Sequence, residues 1–423
     1  MRYRMNGNLK KNFIWNMIGM TLNSFNSLFF MIIVTRLNNL KISGIFTLAF
    51  SVACLMFYFG TYSGRVFQVT DVNKEITDSD YVVHRIITCS IMMIVSFIYC
   101  VAMHYNQYKF AVVMLLCMLK AMEAFADVFY GILHKNDFLY KAGFSLTIKS
   151  IISIIVFLVI DLFTRNIIVT LLTVILVWVL ILIFYDIPSA NKVSKISLKL
   201  NNSHLTLLFK TGFFIFLINF FSVYIVNAPK YALDGRVADS LQAIFGIILM
   251  PATLVSLAIQ YFIQPYLQNL TALYNDSNKK GFNQLIFKLL LLTIGLGIVC
   301  VIGAYLLGIP VLSLVYGVDL TLYKKDLIII IIGAIFYSMS IVFSAGLTTV
   351  RYTFVQFITY LITSVMGLML AGQLIQSFDI HGATYLYFIL MLSQFILYVL
   401  FYIGLQNKLF DKRVDKLFDK RVG

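Results

Sequence analysis

The amino-acid sequence predicts an all-α membrane protein with about twelve transmembrane helices. Hydrophobic residues make up 61% of its 423 positions and charged residues only 12%, and its mean hydropathy of +0.90 is far above that of an ordinary soluble domain. Apolar windows of about 20 residues, long enough to cross the hydrocarbon core, recur along the chain. Because lipid offers backbone amides no hydrogen-bond partner, each span is predicted to be helical. The predicted spans lie near residues 12–35, 44–64, 86–104, 110–131, 144–163, 166–187, 209–231, 239–264, 282–307, 326–348, 352–376 and 381–404.

The spans are predicted to form two six-helix bundles around a central cavity. In the first span, polar or small residues recur at helical spacing over most of the membrane's depth; they are Asn12, Asn16, Gly19, Asn23 and Asn26. The seventh span is similar in character, with Asn219, Ser222 and Asn227. Polar helices at positions one and seven of twelve favour a transporter built from two parallel repeats.

Basic residues indicate that both termini face the cytoplasm. The amino terminus, MRYRMNGNLKKN, precedes an uncleaved first span, and most Lys and Arg residues lie in loops on that same side. This bias accounts for the formal net charge of +15 without a nucleic-acid partner. The predicted divisions are an amino-terminal bundle over residues 1–200, a carboxy-terminal bundle over 201–405 and a basic tail over 406–423. The tail is either a further topology signal or a strip that lies on anionic membrane lipid.

The fourth span contains LLCMLKAMEAFADVFYGIL, residues 115–133, which carries three ionisable side chains. Each charge facing lipid at mid-membrane would cost about 2.5 to 3.5 kcal/mol. Steps of three and four residues put Lys120, Glu123 and Asp127 on one stripe of a helix, so the stripe is predicted to face inward. One interpretation is that Lys120 pairs with Glu123 and only holds helices together, which leaves Asp127 unmatched. The other is that the stripe belongs to a functional site.

Basic side chains at several depths form a column that could bind an anion at successive positions across the membrane. Arg65 and Lys149 lie on the cytoplasmic side, Lys120 is central, and the outer ends of spans one and seven carry Arg36 and Lys230. Taken one at a time, the four terminal residues are better explained by snorkelling from helix ends. Taken together, they predict a site for an anionic substrate.

The loops favour a transporter over an enzyme. No G-x-x-x-x-G-K-[ST] phosphate loop and no G-x-S-x-G nucleophile elbow occur in the sequence. The longest predicted outer connection, residues 308–325, is short and offers only Asp319 as an acid. A membrane glycosyltransferase or polysaccharide polymerase therefore ranks below a transporter, and no enzyme is predicted. The five cysteines and five histidines lack metal-binding spacing, so no metal site is predicted.

Six stretches follow one another along nearly the whole chain: RVFQVTD (65–71), KAMEAFADVFYGILHKNDFLYKAGFS (120–145), NAPKYALD (227–234), IFGIILMPATLVSL (244–257), FIQP (262–265) and GIPVLSLVYG (308–317). In this order and spacing they resemble the polysaccharide transporters of the multidrug/oligosaccharidyl-lipid/polysaccharide exporter superfamily, and Wzx-type repeat-unit flippases in particular. The resemblance implies a monomeric protein of the bacterial cytoplasmic membrane. Its substrate would be a lipid-linked oligosaccharide on undecaprenyl diphosphate, turned to the outer face for capsular, O-antigen or exopolysaccharide biosynthesis. Glycosyltransferases and a polysaccharide polymerase are the implied partners.

The resemblance also implies roles for individual residues. Arg65, Lys120 and Lys230 lie within the resembling stretches and would contact the diphosphate, while Arg36 and Lys149 complete the substrate-binding set. Sugar hydroxyls call for amides, and the candidates are Asn16, Asn23, Asn219 and Asn227. Exporters of cationic drugs share the fold and are the nearest alternative, but they would be expected to have a more acidic cavity.

An ion gradient is the expected energy source, because the sequence has no nucleotide site and no cofactor is predicted. Glu123 and Asp127 are the only carboxylates that the predicted spans place well inside the membrane, since Asp161 lies near an outer end. Either residue could carry a proton, and sodium binding by the same oxygens is the variant. The alternative, which the residues favour equally, is that both acids only neutralise Lys120.

Overall fold

The computed structural model describes residues 2–71, 76–199, 201–350 and 352–405, which form helices and include no strand. The amino-terminal half contains α1 (Arg2–Leu37), α2 (Leu40–Thr61), α3 (Gly64–Thr70), α4 (Asp78–Ala102), α5 (Gln107–Lys135), α6 (Leu139–Thr164), α7 (Ile167–Ile181), a π-helical segment (Leu182–Asp186) and α8 (Ile187–Asn191). The rest contains α9 (Asn202–Leu233), α10 (Asp239–Ile263), α11 (Tyr266–Asn275), α12 (Lys279–Gly303), a second π-helical segment (Ala304–Gly308), α13 (Ile309–Tyr316), a 3-10 turn (Thr321–Tyr323), α14 (Lys324–Thr349) and α15 (Thr353–Leu405).

Ten of the described helical segments are long and apolar enough to cross a membrane. Two features explain why ten are consistent with the twelve predicted spans. α5 has 29 residues but carries the charged stripe, and α15, with 53 residues, joins two helices at Asp379, where φ is 50° and ψ is −127°. The predicted all-α, multi-pass membrane fold is confirmed. The predicted basic tail, residues 406–423, lies outside the described residues.

The chain divides into two compact units, the first of which ends at Val223. This division falls within α9, later than the boundary expected after residue 200. Tyr62 gives the local reason, because its ring stacks on that of Phe216 with centroids 5.0 Å apart. Its hydroxyl also donates a 3.3 Å hydrogen bond to the backbone carbonyl of Phe209. The first part of α9 is thereby attached to the end of α2.

α1 and α6 approach backbone to backbone because glycines stand where the two helices meet. A Cβ added at Gly19 would lie 2.5 Å from the carbonyl oxygen of Gly143, and one added at Gly143 would lie 2.4 Å from the backbone of Trp15. Small residues permit this kind of close approach between membrane helices. Part of the polar face predicted for α1 is therefore a helix-packing face.

Two other members of that polar face also have structural surroundings. The side chain of Asn12 donates a 3.2 Å hydrogen bond to the carbonyl of Asp137 and accepts a 2.8 Å bond from the backbone N–H of Tyr140. Asn12 thereby joins α1 to the turn between α5 and α6. Asn26 is buried. Asn12 therefore has a structural role at one end of the polar face, and the expectation that this face lines a cavity stays a prediction.

We expect Gly143→Ala to lower the thermal unfolding temperature of the purified protein in detergent. The added methyl group must push α1 and α6 apart, and overpacking of this kind costs typically about 1 to 3 kcal/mol. The matched control is Gly295→Ala in α12, because a Cβ at Gly295 meets no atom within 4 Å. That control should leave the unfolding temperature unchanged or slightly raised. Equal unfolding temperatures for the two variants would contradict the close crossing of α1 and α6.

Candidate functional site

Lys120 lies in the interior of α5, contacts α2 and is linked to α1 through Glu123. Its Nζ is 2.6 Å from Oε2 of Glu123, and Asn23 of α1 donates a 2.9 Å hydrogen bond to Oε1 of the same carboxylate. The ring centroids of Phe50 and Phe57, both on α2, lie 5.3 and 5.6 Å from the ammonium, within the range of cation–π attraction. Glu123 thus connects a cation inside the span to the middle of the polar face of α1.

Asp127, one turn further along α5, lies between two arginines. Its Oδ1 is 2.9 Å from Arg65 of α3 and its Oδ2 is 3.3 Å from Arg85 of α4. The side chain of Arg65 is 30% exposed, whereas that of Arg85 is 2% exposed. The expectation that Asp127 is unmatched is therefore wrong. Because Arg85 is almost completely buried, its ion pair with Asp127 must replace much of the hydration that the guanidinium loses.

A break between α2 and α3 presents Arg65 to Asp127. Tyr62 and Ser63 both have left-handed backbone conformations, with φ values of 41° and 56°, which are uncommon for residues other than glycine. At the end of α2, the carbonyl of Gly60 accepts a 3.0 Å hydrogen bond from Arg85 and a 2.7 Å bond from Thr88. The side chains of Arg85 and Thr88 therefore satisfy the Gly60 carbonyl beside the break. These bonds stabilise the change of chain direction that brings Arg65 to α5.

A further ion pair is completely buried inside the first unit. Lys149 of α6 is paired with Asp186, and both side chains are 0% exposed. The ammonium also donates a 3.0 Å hydrogen bond to the hydroxyl of Tyr130, while Ser145 donates a 2.5 Å bond to Oδ1 of Asp186. The centroid of the Trp178 ring lies 4.8 Å from the ammonium. In this conformation Lys149 offers no free surface to a substrate, contrary to its place in the predicted binding set.

The remaining candidates lie further along α1 and α9. Asn16 is half-buried and donates a 3.4 Å hydrogen bond to the sulfur of Met20. Asn219 donates a 3.1 Å bond to Ser63, so it contacts the α2–α3 break. The other three candidates are not part of the cluster around α5. Arg36 is exposed in the last turn of α1, and Asn227 and Lys230 lie on either side of Pro229 near the end of α9. Their substrate contacts stay predictions.

The cluster around α5 has more positive than negative groups. It contains three cations, Arg65, Arg85 and Lys120, and two carboxylates, Glu123 and Asp127, which leaves an excess of one positive charge when all are ionised. In a low-dielectric environment such an excess attracts an anion strongly. Within the described part of the chain, no group of three or more His, Cys, Asp and Glu side chains could hold a metal ion. The cluster around α5 is therefore a network of ion pairs with a net charge of +1 when all five groups are ionised.

Two important residues were missed at the sequence level. Arg85 lies just before the predicted third span, which begins near residue 86, but α4 begins at Asp78. The missed signal is the capping box formed by Thr77 and Asp80, which marks a helix start about two turns before Arg85. Asp186 lies one residue before the end of the predicted sixth span. The helix continues past it through the π-helical segment into α8, and the carboxylate is completely buried in an ion pair with Lys149.

No protein-family profile matches the chain. Over 398 residues it is 24% identical to a capsular polysaccharide biosynthesis protein, CapF, of Staphylococcus aureus, and the match covers 93% of this chain and 98% of the relative. Among solved structures it is similar to an inward-facing multidrug resistance transporter of the MATE family in the MOP superfamily, with a TM-score of 0.73 and 13% identity over 93% of this chain and 98% of that chain. This chain has the fold of such transporters.

The structure of the lipid II flippase MurJ in an inward closed conformation is similar as well. Its TM-score is 0.72 and its sequence identity 16%, over 94% of this chain and 90% of that chain. The resemblance indicated by the six sequence stretches is therefore confirmed. Both solved structures are of transport proteins, and this chain shares their fold. Its ten described helical segments long and apolar enough to cross a membrane make it a multi-pass membrane protein.

We expect Lys149→Met to destabilise the protein strongly, because it leaves the buried carboxylate of Asp186 without its cation. Breaking a buried ion pair from one side costs typically about 3 to 5 kcal/mol. The double variant Lys149→Met/Asp186→Leu removes both charges and should recover most of the unfolding temperature. Thermal unfolding in detergent is the measurement. A double variant as unstable as Lys149→Met would contradict a mainly structural role for the pair.

Proposed function

We propose that the protein is a flippase that moves undecaprenyl-diphosphate-linked oligosaccharide repeat units across the bacterial cytoplasmic membrane by alternating access. The units would serve capsular, O-antigen or exopolysaccharide biosynthesis. The observation that carries the proposal is the excess of cations around α5, where Arg65, Arg85 and Lys120 face only two carboxylates. A diphosphate is an anion that such a cluster suits. The similarity to a capsular polysaccharide biosynthesis protein and to a lipid II flippase supports a lipid-linked saccharide as the substrate.

Arg65 and Lys120 are the proposed diphosphate contacts within the cluster. Both side chains retain some exposure, and a guanidinium can bind phosphate oxygens in a bidentate manner. Asn23 donates a hydrogen bond to Glu123, the partner of Lys120, and an amide can exchange this bond for one to a sugar hydroxyl. Further contacts along the path are proposed for the other predicted residues, namely Arg36, Lys230, Asn16, Asn219 and Asn227. Lys149 is not among the proposed contacts because its side chain is completely buried in an ion pair with Asp186.

Substrate entry would exchange one set of ion pairs for another. When a phosphate takes Lys120 from Glu123, that carboxylate loses its counter-charge. When a phosphate takes Arg65 from Asp127, that carboxylate keeps only Arg85. An unpaired carboxylate inside a membrane is costly, and binding a proton or a sodium ion relieves that cost. Glu123 and Asp127 are therefore the proposed coupling residues. A ligand biases two conformations only through differential affinity, and this exchange supplies such a difference.

Other functions fit the site less well. A multidrug or cation antiporter of the same fold would need to attract positively charged substrates, which the excess of cations opposes. A membrane polysaccharide polymerase or glycosyltransferase would need a catalytic group that transfers a sugar, and the similar solved structures are a transporter and a flippase. We therefore propose no enzymatic activity. We propose that the protein is a monomer with both termini in the cytoplasm. Glycosyltransferases would make its lipid-linked substrate, and a polymerase would use the flipped repeat unit.

We expect Lys120→Ala to abolish flipping of a fluorescent undecaprenyl-diphosphate oligosaccharide in liposomes, while the protein still inserts. The substitution removes the cation that the diphosphate would meet inside the span. Lys120→Arg should retain much of the activity because it keeps the charge. The measurement is transfer of the lipid between leaflets, with no lengthening of its saccharide.

The matched control for this substitution is Lys288→Ala, because Lys288 is an exposed lysine on α12. That variant should flip the lipid as the wild type does. If Lys120→Ala were as active as Lys288→Ala at equal protein abundance, Lys120 would be structural. Saccharide lengthening by the purified wild type would instead support the enzyme alternative.

The coupling proposal predicts that an imposed proton or sodium gradient accelerates flipping by the wild type. Asp127→Asn and Glu123→Gln keep the side-chain shape but cannot bind the ion as a carboxylate, so at least one of them should lose the acceleration. The measurement is the initial flipping rate in liposomes with and without each gradient. A wild-type rate that ignores both gradients, or an acceleration that survives both substitutions, would leave the two acids as counter-charges only.

A further inference from the structure

A groove of about 980 Å³ lies at one end of the second unit, far along the chain from the α5 cluster. It is formed by the second π-helical segment, the 3-10 turn, the start of α14 and the second half of α15; its lining includes Tyr305, Leu322, Lys324, Lys325, His381 and Tyr385. Chain direction places it at the end of α12 and the beginning of α14. On the predicted orientation, with both termini in the cytoplasm, this end is the outer face of the membrane.

The acid of the groove has a partner of its own, a histidine on α15. Asp326 is buried, and both of its carboxylate oxygens lie 2.9 Å from Nδ1 of His381. Lys324 and Lys325 are exposed in the groove, and neither forms an ion pair with any acidic residue in the part of the chain that the structure describes. Two exposed cations in one concave surface, beside an acid that contacts a histidine, give the groove a basic character that suits an anionic ligand.

The walls of the groove are aromatic and apolar. Nζ of Lys324 lies 3.9 Å from the centroid of the Tyr305 ring, which holds the ammonium over one wall. Leu322 is 83% exposed. Beyond the groove, Leu306 and Leu307 are also exposed on the second π-helical segment. Basic head-group contacts beside an exposed apolar surface are the features that an anionic amphiphile requires.

We propose that this groove binds the diphosphate head of a polyprenyl diphosphate at the outer face, with Lys324 and Lys325 on the phosphates and the prenyl chain along Leu306 and Leu307. The inference rests on the proposed function, in that it supplies a place for the lipid-linked substrate after its head has crossed the membrane. Tyrosine rings are also common at membrane interfaces without any ligand. The concave shape and the two lysines without acidic partners distinguish this groove from an ordinary interfacial belt.

The test is equilibrium binding of undecaprenyl diphosphate to the full-length protein in nanodiscs. We expect Lys324→Gln/Lys325→Gln to weaken binding at least about tenfold, since each charge-assisted hydrogen bond contributes substantially to affinity. Lys324→Arg/Lys325→Arg should bind as the wild type does. The matched control is Lys279→Gln/Lys280→Gln, which removes an adjacent lysine pair from the opposite end of the same unit, at the start of α12. Equal losses in the two glutamine variants, or no loss in either, would overturn the proposal.

Phosphatidylglycerol and inorganic diphosphate are the competitors that identify the ligand. Either competitor displacing undecaprenyl diphosphate at equal concentration would overturn a site specific for polyprenyl diphosphates. The flipping assay separates this proposal from the function on which it rests. A wild type that binds through the two lysines but flips nothing would refute the flippase function and leave the site standing. A wild type that flips while Lys324→Gln/Lys325→Gln binds and flips equally well would refute the site alone.

Discussion

The placement of Asp127 between Arg65 and Arg85 is the contact on which the local architecture of the first unit depends. Arg85 is almost completely buried, and a buried guanidinium is tolerated only when a carboxylate and further acceptors replace its water. Asp127 supplies the carboxylate and the Gly60 carbonyl supplies an acceptor. That carbonyl belongs to the end of α2, just before the left-handed residues that redirect the chain into α3. One carboxylate on α5 therefore ties together α3, α4 and the break after α2.

Sequence reasoning predicted the membrane class, the helical spans and the existence of a charged stripe, because these follow from hydropathy and helical periodicity alone. It could not predict which partner each charge would select. The spacing of Lys120 and Glu123 allowed their pairing, and the structure has it. The partners of Asp127 come from helices distant in sequence, and Arg85 appeared to lie outside a span because the hydropathy window ignored the polar first turns of α4. Pairing across helices depends on tertiary packing, which periodicity does not specify.

The charges of α5 are each committed to a different neighbour. Glu123 holds Lys120 from its own helix and Asn23 from α1, whereas Asp127 holds one arginine from α3 and another from α4. An anion that takes Arg65 from this arrangement would therefore also remove a contact between α3 and α5. Ligand binding and helix packing draw on the same side chains, which is the physical requirement for a substrate to shift the balance between two conformations.

Exposure separates the ion pairs that can exchange partners from those that cannot. Lys149 and Asp186 are enclosed by a tyrosine, a serine and a tryptophan, so no incoming anion could reach the ammonium without opening the packing of α6 and α7. Of the two arginines that pair with Asp127, Arg65 is partly exposed and Arg85 is almost completely buried. If a ligand removed Arg65, Asp127 would keep one cation and would not be left fully uncompensated. A carboxylate shared between one fixed and one accessible arginine can release the accessible one at a lower cost than a simple pair could. That asymmetry makes Arg65 better suited than Arg85 or Lys149 to exchange its partner, as the proposed function requires.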